Sequence, residues 1–171
     1  MKKNYLNLRN YILVLITGLI LSSCSKDATL TDNLTGTWTA GTSTFTAMVG
    51  DKTLTQYFTE VMLLTMNEAQ LYTNLYNGLI QQSFTGTIQI KSDNTYTSTL
   101  GGEADTGTWS LTADGKKLTI VSSTDDPMTF DIIELTSSKL QLQLLESISE
   151  DFNGDDTPEL ININVVINFT K

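Results

Sequence analysis

Residues 159–170 read ELININVVINFT. Ile161, Ile163, Val165, Ile167 and Phe169 recur at every second position, with Asn162, Asn164 and Asn168 between them. Successive side chains of an extended chain point to opposite faces, so this spacing sets an apolar row on one face and amides on the other. A slip of one residue would invert every side chain, so the pattern fixes which face is buried. The same alternation, in runs rich in Thr, Ile, Leu and aromatics, predicts further strands at 34–48 (kinked at Gly41), 84–91, 94–100, 106–112, 116–123, 128–135 and 139–147. Thr occurs 28 times in the chain, and a β-branched polar residue suits the wet face of a sheet. Ser92-Asp93-Asn94, Ala113-Asp114-Gly115 and Thr124-Asp125-Asp126-Pro127 supply tight-turn chemistry between the runs. Strands joined by short turns predict an all-β fold, an eight-stranded up-and-down antiparallel barrel, whose closure removes exposed sheet edges.

One stretch departs from period two. Between about 53 and 80 the apolar spacing is helical: Leu54, Tyr57, Phe58, Val61 and Leu64, then Tyr72, Leu75, Tyr76 and Leu79. Thr53 with Gln56, and Asn67 with Gln70, have the spacing of capping boxes. Two short helices are expected, 54–66 and 68–77, the second ending at Asn77-Gly78. Their apolar groups, Met62 and Met66 included, must cover something, as a plug at one end of the barrel or as a lid over a ligand.

Composition excludes several chemistries. The 171 residues include no histidine and a single cysteine, with 10 basic and 19 acidic side chains and a net charge of -9. No imidazole is available to activate a Ser or Cys nucleophile or to ligate zinc, and one cysteine forms no intramolecular disulfide. Glu103 and Asp105 could do acid/base work, but they stand beside the turn residues Gly101-Gly102, where exposed acids are common. No catalytic residue is assigned, and an enzyme is not expected.

Lys2, Lys3 and Arg9 precede the apolar run Tyr11–Leu21, and small residues then lead to Cys24. This is the layout of a secretory signal peptide over 1–23. Eleven helical residues reach about 16 Å, roughly half a bilayer core, too short for a lasting span. Leu21-Ser22-Ser23-Cys24 resembles the bacterial lipobox, which implies fatty acylation, palmitate among the acyl chains, at a Cys24 that becomes the first mature residue. Ser25 rather than Asp follows it, so the resemblance implies attachment to the outer membrane of the cell envelope on either face. Residues 24–33 then read as a flexible tether, and 34–171 as the domain. Loss of 1–23 removes three basic residues and no acid, leaving 7 basic against 19 acidic and a net charge of -12. So acidic a body is not expected to bind nucleic acid or anionic head groups; its membrane partner would be reached through the acyl anchor.

Gly36-Thr37-Trp38 opens the first strand of the domain, and Gly107-Thr108-Trp109-Ser110-Leu111 repeats the theme after the helical stretch and Asp93-Asn94-Thr95-Tyr96-Thr97. The ordered series is similar to the lipocalin-like domains of bacterial lipoproteins, over about 34–171. That resemblance implies a barrel holding a small apolar or amphipathic ligand. It also implies that the first tryptophan packs across the closed end against a basic side chain late in the fold, where Lys139 and Lys171 are available. Gly36, Trp38, Gly107 and Trp109 are then structural. Candidate ligand contacts are the inward strand residues Ile88, Ile90, Tyr96, Leu118, Ile120, Phe130, Ile132, Leu142 and Leu144, beside Phe58, Val61 and Leu75 from the helices. A non-carrier interaction module with a filled barrel is the alternative.

Asp151, Asn153 and Asp155 are spaced like the first oxygen ligands of an EF-hand loop, and the Thr157 carbonyl and Glu159 could complete a Ca2+ set. Asp156 stands where such a loop wants Gly, and position 12 is Asn162 instead of a glutamate. A metal-free acidic turn fits the same residues.

Overall fold

The computed structural model describes residues 24–151 and 153–171. In chain order the elements are α1 (Cys24–Leu34), β1 (Gly36–Val49), β2 (Lys52–Thr53), α2 (Leu54–Glu60), α3 (Met66–Ser83), β3 (Thr87–Ile90), β4 (Thr95–Ser98), β5 (Asp105–Leu111), β6 (Lys117–Ser122), β7 (Met128–Leu135), β8 (Lys139–Glu150) and β9 (Glu159–Thr170). A single 3-10 turn, Leu100–Gly102, joins β4 to β5. The strands pair in the order β2-β1-β3-β4-β5-β6-β7-β8-β9, and a further β1–β9 pairing closes β1 and β3–β9 into an eight-stranded antiparallel barrel with β2 outside.

Closure depends on β1 serving two partners. Gly36 to Thr39 pair with Ile90 to Thr87 of β3, and Thr39 to Val49 pair with Thr170 to Ile161 of β9. The register shifts between Ala40 and Ser43, at the kink expected at Gly41. A bulge there bends the strand so that one half serves each neighbour. The alternating row of β9 faces inward as its period requires: Ile161, Val165, Ile167 and Phe169 are buried, while Asn164 and Asn168 accept hydrogen bonds from Gln143 and Gln141 on the outer face.

β8, β9 and the second half of β1 are longer than β3–β6, so their inner face overhangs the barrel. Two buried clusters result. One fills the barrel with Leu34, Trp38, Tyr96, Trp109, Leu118, Phe130, Leu140 and their neighbours. The other joins Ala47, Val49 and Ile161 of the overhang to Leu54, Tyr57 and Phe58 of α2 and Ala69 of α3, and Phe45 and Ile163 pack against both. The helical insertion thus roofs the overhang.

The insertion differs from expectation in its boundaries and in its face. α2 stops at Glu60, short of 66, because the chain turns through Leu63 at φ 56 to reach a second N-cap at Thr65. There Thr65 Oγ1 accepts from the Glu68 amide, and the Glu68 carboxylate accepts from the Thr65 amide at 2.9 Å. This Thr–Glu box supersedes the expected Asn67–Gln70 pair, since a charged acceptor over the first turn is the stronger cap. Thr53 and Gln56 form the expected box of α2. α3 continues through Asn77-Gly78 to Ser83. It turns Ala69, Thr73, Tyr76 and Ile80 inward, while Leu75 and Val61 stand 55% and 41% exposed. The small Ala69 lets α3 approach α2, and Thr73 hydrogen-bonds Thr55 of α2 at 3.0 Å, so the larger leucines are rotated outward.

The segment expected as a flexible tether is helical, α1, and its end is part of the core. Leu34 is fully buried, and Leu30 lies so close over Gly115 that a Cβ there would come within 2.6 Å of it. α1 therefore closes the barrel end formed by the β3–β4, β5–β6 and β7–β8 turns. The lipobox and signal-peptide residues before Cys24 lie outside the described residues.

Candidate functional site

The barrel encloses a cavity of about 260 Å3. Its walls are the inward residues of six strands, among them Ile88, Ile90, Tyr96, Leu118, Ile120, Phe130, Leu140, Leu142, Ile167 and Phe169. Its opening lies among Ser83 and Phe84 at the end of α3, Leu100, Glu103 and Ala104 of the β4–β5 connection with Asp105 at the start of β5, and Thr124 and Asp125 before β7 with Met128 as its first residue. The mouth is thus at the end opposite α1. The helix residues Phe58, Val61 and Leu75 do not reach the cavity: Phe58 belongs to the second cluster, and the other two point to solvent. Leu144 is buried farther along β8 without lining the space, and Ile132 is half-buried against the core. Leu140, Ile167 and Phe169 do line it, and their period-two spacing with Leu142 and Val165 was the signal for them. Asp105 and Met128 open β5 and β7; the other mouth residues sit at a helix end or on turns, where no periodicity marks a side chain's direction.

Asp105 is the polar centre of the mouth. One carboxylate oxygen accepts from the Ser122 hydroxyl at 2.9 Å and from the Thr106 amide at 2.7 Å, and the other accepts from the Tyr96 phenol. Tyr96 is 2% exposed, and burial, with that carboxylate behind it, pushes its pKa up, so it stays a neutral donor. Close approach of the strands is possible here because Gly107 pairs with Tyr96: a Cβ on Gly107 would stand 2.0 Å from the Val121 carbonyl and 2.9 Å from the Tyr96 ring. Ser98 completes the polar lining, donating to the Thr87 carbonyl and accepting from the Leu100 amide.

The closed end is built around Trp38, which is fully buried and donates its indole N–H to the Leu34 carbonyl at 2.7 Å. Lys171 lays its ammonium 4.3 Å from the centroid of the Trp38 ring and donates to the carbonyls of Asn33 and Thr35, both at 2.6 Å. Partial burial draws the Lys171 pKa down from the ordinary lysine value, and the ring and the two carbonyls replace the lost water. Gly36 makes room for this, because its Cβ would stand 2.8 Å from Lys171 Cε. Trp109 is anchored separately, by a 2.9 Å hydrogen bond from its indole to the Lys91 carbonyl.

No family model and no curated relative matches the chain. Among solved structures it is similar to a DUF4847 family protein from Bacteroides vulgatus ATCC 8482, at 14% identity and a TM-score of 0.39, covering 80% of this chain and 92% of that one.

In the 151–159 loop the candidate calcium ligands bond to turn amides and to one another. Asp151 accepts three backbone N–H groups, from Gly154 at 2.7 Å, Asp155 at 3.0 Å and Asp156 at 2.8 Å. Asp155 accepts from the Thr157 amide, and Asn153 turns its amide nitrogen toward Glu159 at 2.7 Å while its oxygen takes the Asp155 N–H. Glu159 also accepts from the Tyr57 phenol. Asp151 and Asp155 thus hold the turn amides, and Asp156 adopts the positive φ of 65 for which an EF-hand uses glycine. Among the described residues no three His, Cys, Asp or Glu side chains gather as a metal group.

Proposed function

We propose that this protein is a lipid-anchored cell-envelope protein of the lipocalin-like kind, and that its barrel binds one small apolar or amphipathic molecule. The observation that carries the binding reading is the cavity: about 260 Å3 of apolar-walled space, reached through a single polar mouth, near the lower end of the range small-ligand sites occupy. A domain built only to be stable would fill such a space, because unfilled volume forfeits packing. The Trp38–Lys171 stack across the closed end agrees with what the lipocalin resemblance implies. An acyl chain on Cys24 would join the barrel through α1 at this closed end, leaving the mouth facing away from the lipid.

The test is saturable one-to-one binding of a neutral apolar fluorophore by the purified protein and by Ile120→Phe, which places a larger ring in the cavity. The wild type is expected to bind, and the variant to fold with unchanged stability and lose binding. A wild type that binds no apolar probe at millimolar concentration sinks the carrier reading. For the anchor, incorporation of labelled palmitate into the wild type and not into Cys24→Ser is expected; equal labelling of the two refutes it. The interaction-module alternative draws on the outward Leu71, Leu75 and Leu79 of α3 with Leu63 before it, 53% to 82% exposed. A protein that binds no probe but self-associates, and is made monomeric by Leu75→Glu, would favour it.

A further inference from the structure

Resting on the carrier reading, we propose that the cavity selects a cationic amphiphile, a short alkyl or aryl chain ending in an ammonium or other positively charged donor, and rejects the corresponding carboxylic acid. The walls are apolar, so they take the chain. The mouth is what discriminates. Among the described residues all the charged side chains lining it are acids, Glu103, Asp105 and Asp125, and no lysine or arginine lines the cavity. Carriers of anionic amphiphiles need a donor at the mouth to replace water around the carboxylate; here the one phenol available, that of Tyr96, is already spent on Asp105.

Asp105 is the group set to receive the cation. Its two oxygens accept three hydrogen bonds, from Ser122, Thr106 and Tyr96, which fix the carboxylate at the cavity rim and leave acceptor capacity toward the opening. The lysines of the barrel hairpins lie at the far end, where Lys91, Lys116 and Lys117 are accompanied by Asp93, Asp114 and Asp131 and Lys171 is committed to Trp38, so they do not offset the acids of the opening. A low-dielectric mouth lined by one sign of charge concentrates the opposite one. The volume of the space, about 260 Å3, suits chains of about eight carbons rather than long acyl tails.

The experiment is displacement of a neutral apolar fluorophore from the purified protein at pH 7 by octylamine, octan-1-ol and octanoate, which share a chain and differ in head group. Octylamine is expected to bind about tenfold more tightly than octan-1-ol, and octanoate more weakly than either. Asp105→Asn and the double substitution Glu103→Gln with Asp125→Asn should each bring the amine back toward the alcohol, with a far-UV circular dichroism spectrum like the wild type's showing that the variants remain folded. Equal binding of the amine and the alcohol, or tighter binding of octanoate, overturns the cationic preference and leaves the carrier reading standing. If none of the three displaces the fluorophore, or the fluorophore itself does not bind, the carrier reading falls and this inference falls with it.

Discussion

Replacement of Lys171 by methionine isolates what the ammonium does at the closed end, since the unbranched stem that lies beside Gly36 is largely kept. Two charge-assisted hydrogen bonds, to the Asn33 and Thr35 carbonyls, and one cation–π contact with Trp38 are lost together. Lys171 is partly exposed, so each is taken near the low end of its range, about 0.5–1 kcal/mol, giving about 2 kcal/mol in all. For a domain of this size that corresponds to a fall in Tm of roughly 6 °C. Urea denaturation followed by far-UV circular dichroism measures the free energy without depending on tryptophan emission, which the substitution itself alters. A double-mutant cycle with Trp38→Leu, which leaves no aromatic face, separates the ring contact from the carbonyl bonds. The two costs should fall short of additivity by about 0.5–1 kcal/mol, the share that both single variants remove. A loss below about 0.5 kcal/mol for Lys171→Met would refute the view that this lysine fastens the end of β9 to the start of β1, and strict additivity would refute the ring contact alone.

Other substitutions test other parts of the fold. Gly107→Ala drives a methyl group onto the Val121 carbonyl of a paired strand and should cost more than about 3 kcal/mol, whereas Gly78→Ala, in open space on α3, should stabilise by about 0.5–1 kcal/mol; chemical denaturation reads both. Thr65→Ala removes the N-cap of α3 and should cost about 1 kcal/mol, while Asn67→Ala costs nothing measurable; the reverse order would restore the cap expected at Asn67. Tyr57 has its pKa pushed up to about 12, first by burial and then by its hydrogen bond to Glu159. A pKa raised on folding stabilises fully below the unfolded value near 10 and is lost as pH climbs from about 10 to 12, so stability should fall over that window in the wild type and less in Tyr57→Phe, with phenolate absorbance as the second readout.

The strands were legible because each has a wet face and a dry face, and the period of two reports which is which. Ile161 to Phe169 fixed the inner row of β9, and the glycine at 41 marked the bend that lets β1 close the sheet. The helices were legible as helices but not in rotation. Leucine spacing suggested that Leu75 and Val61 point inward, yet the contact is made by the small Ala69 and by Thr73, whose hydroxyl bonds Thr55; depth of approach decided the face, and hydrophobicity alone does not encode it. The cavity walls followed from strand parity, and the residues missed at Leu140, Ile167 and Phe169 obey the same rule as those found. Asp105 falls on the inward parity of Gly107 and Trp109 in β5, whereas Glu103 and Asp125 could not be placed this way. A turn residue's direction depends on the tertiary path of three connections, which no local pattern specifies. The loop at 151–159 carried a ligand-like spacing because the carboxylates that bind cations are the same groups that accept turn amides.

The unequal strand lengths tie these observations together. Had all eight strands been as long as β8 and β9, the cavity would have been a deep tube with both of its ends far from the turns. Instead the overhang is confined to one side and is sealed by α2 and α3 through the second cluster, so only the last residues of α3, Ser83 and Phe84, come to the opening. The insertion is therefore a roof beside the mouth, and access does not require α2 or the body of α3 to move. Selectivity is then left to the short connections on the other side, at 99–105 and 123–127, together with the carboxylate that Tyr96, Thr106 and Ser122 hold in place. Changes there, other than at Leu100, which packs against the barrel cluster, should alter what binds without altering whether the barrel folds, because none of the other turn residues belongs to either buried cluster.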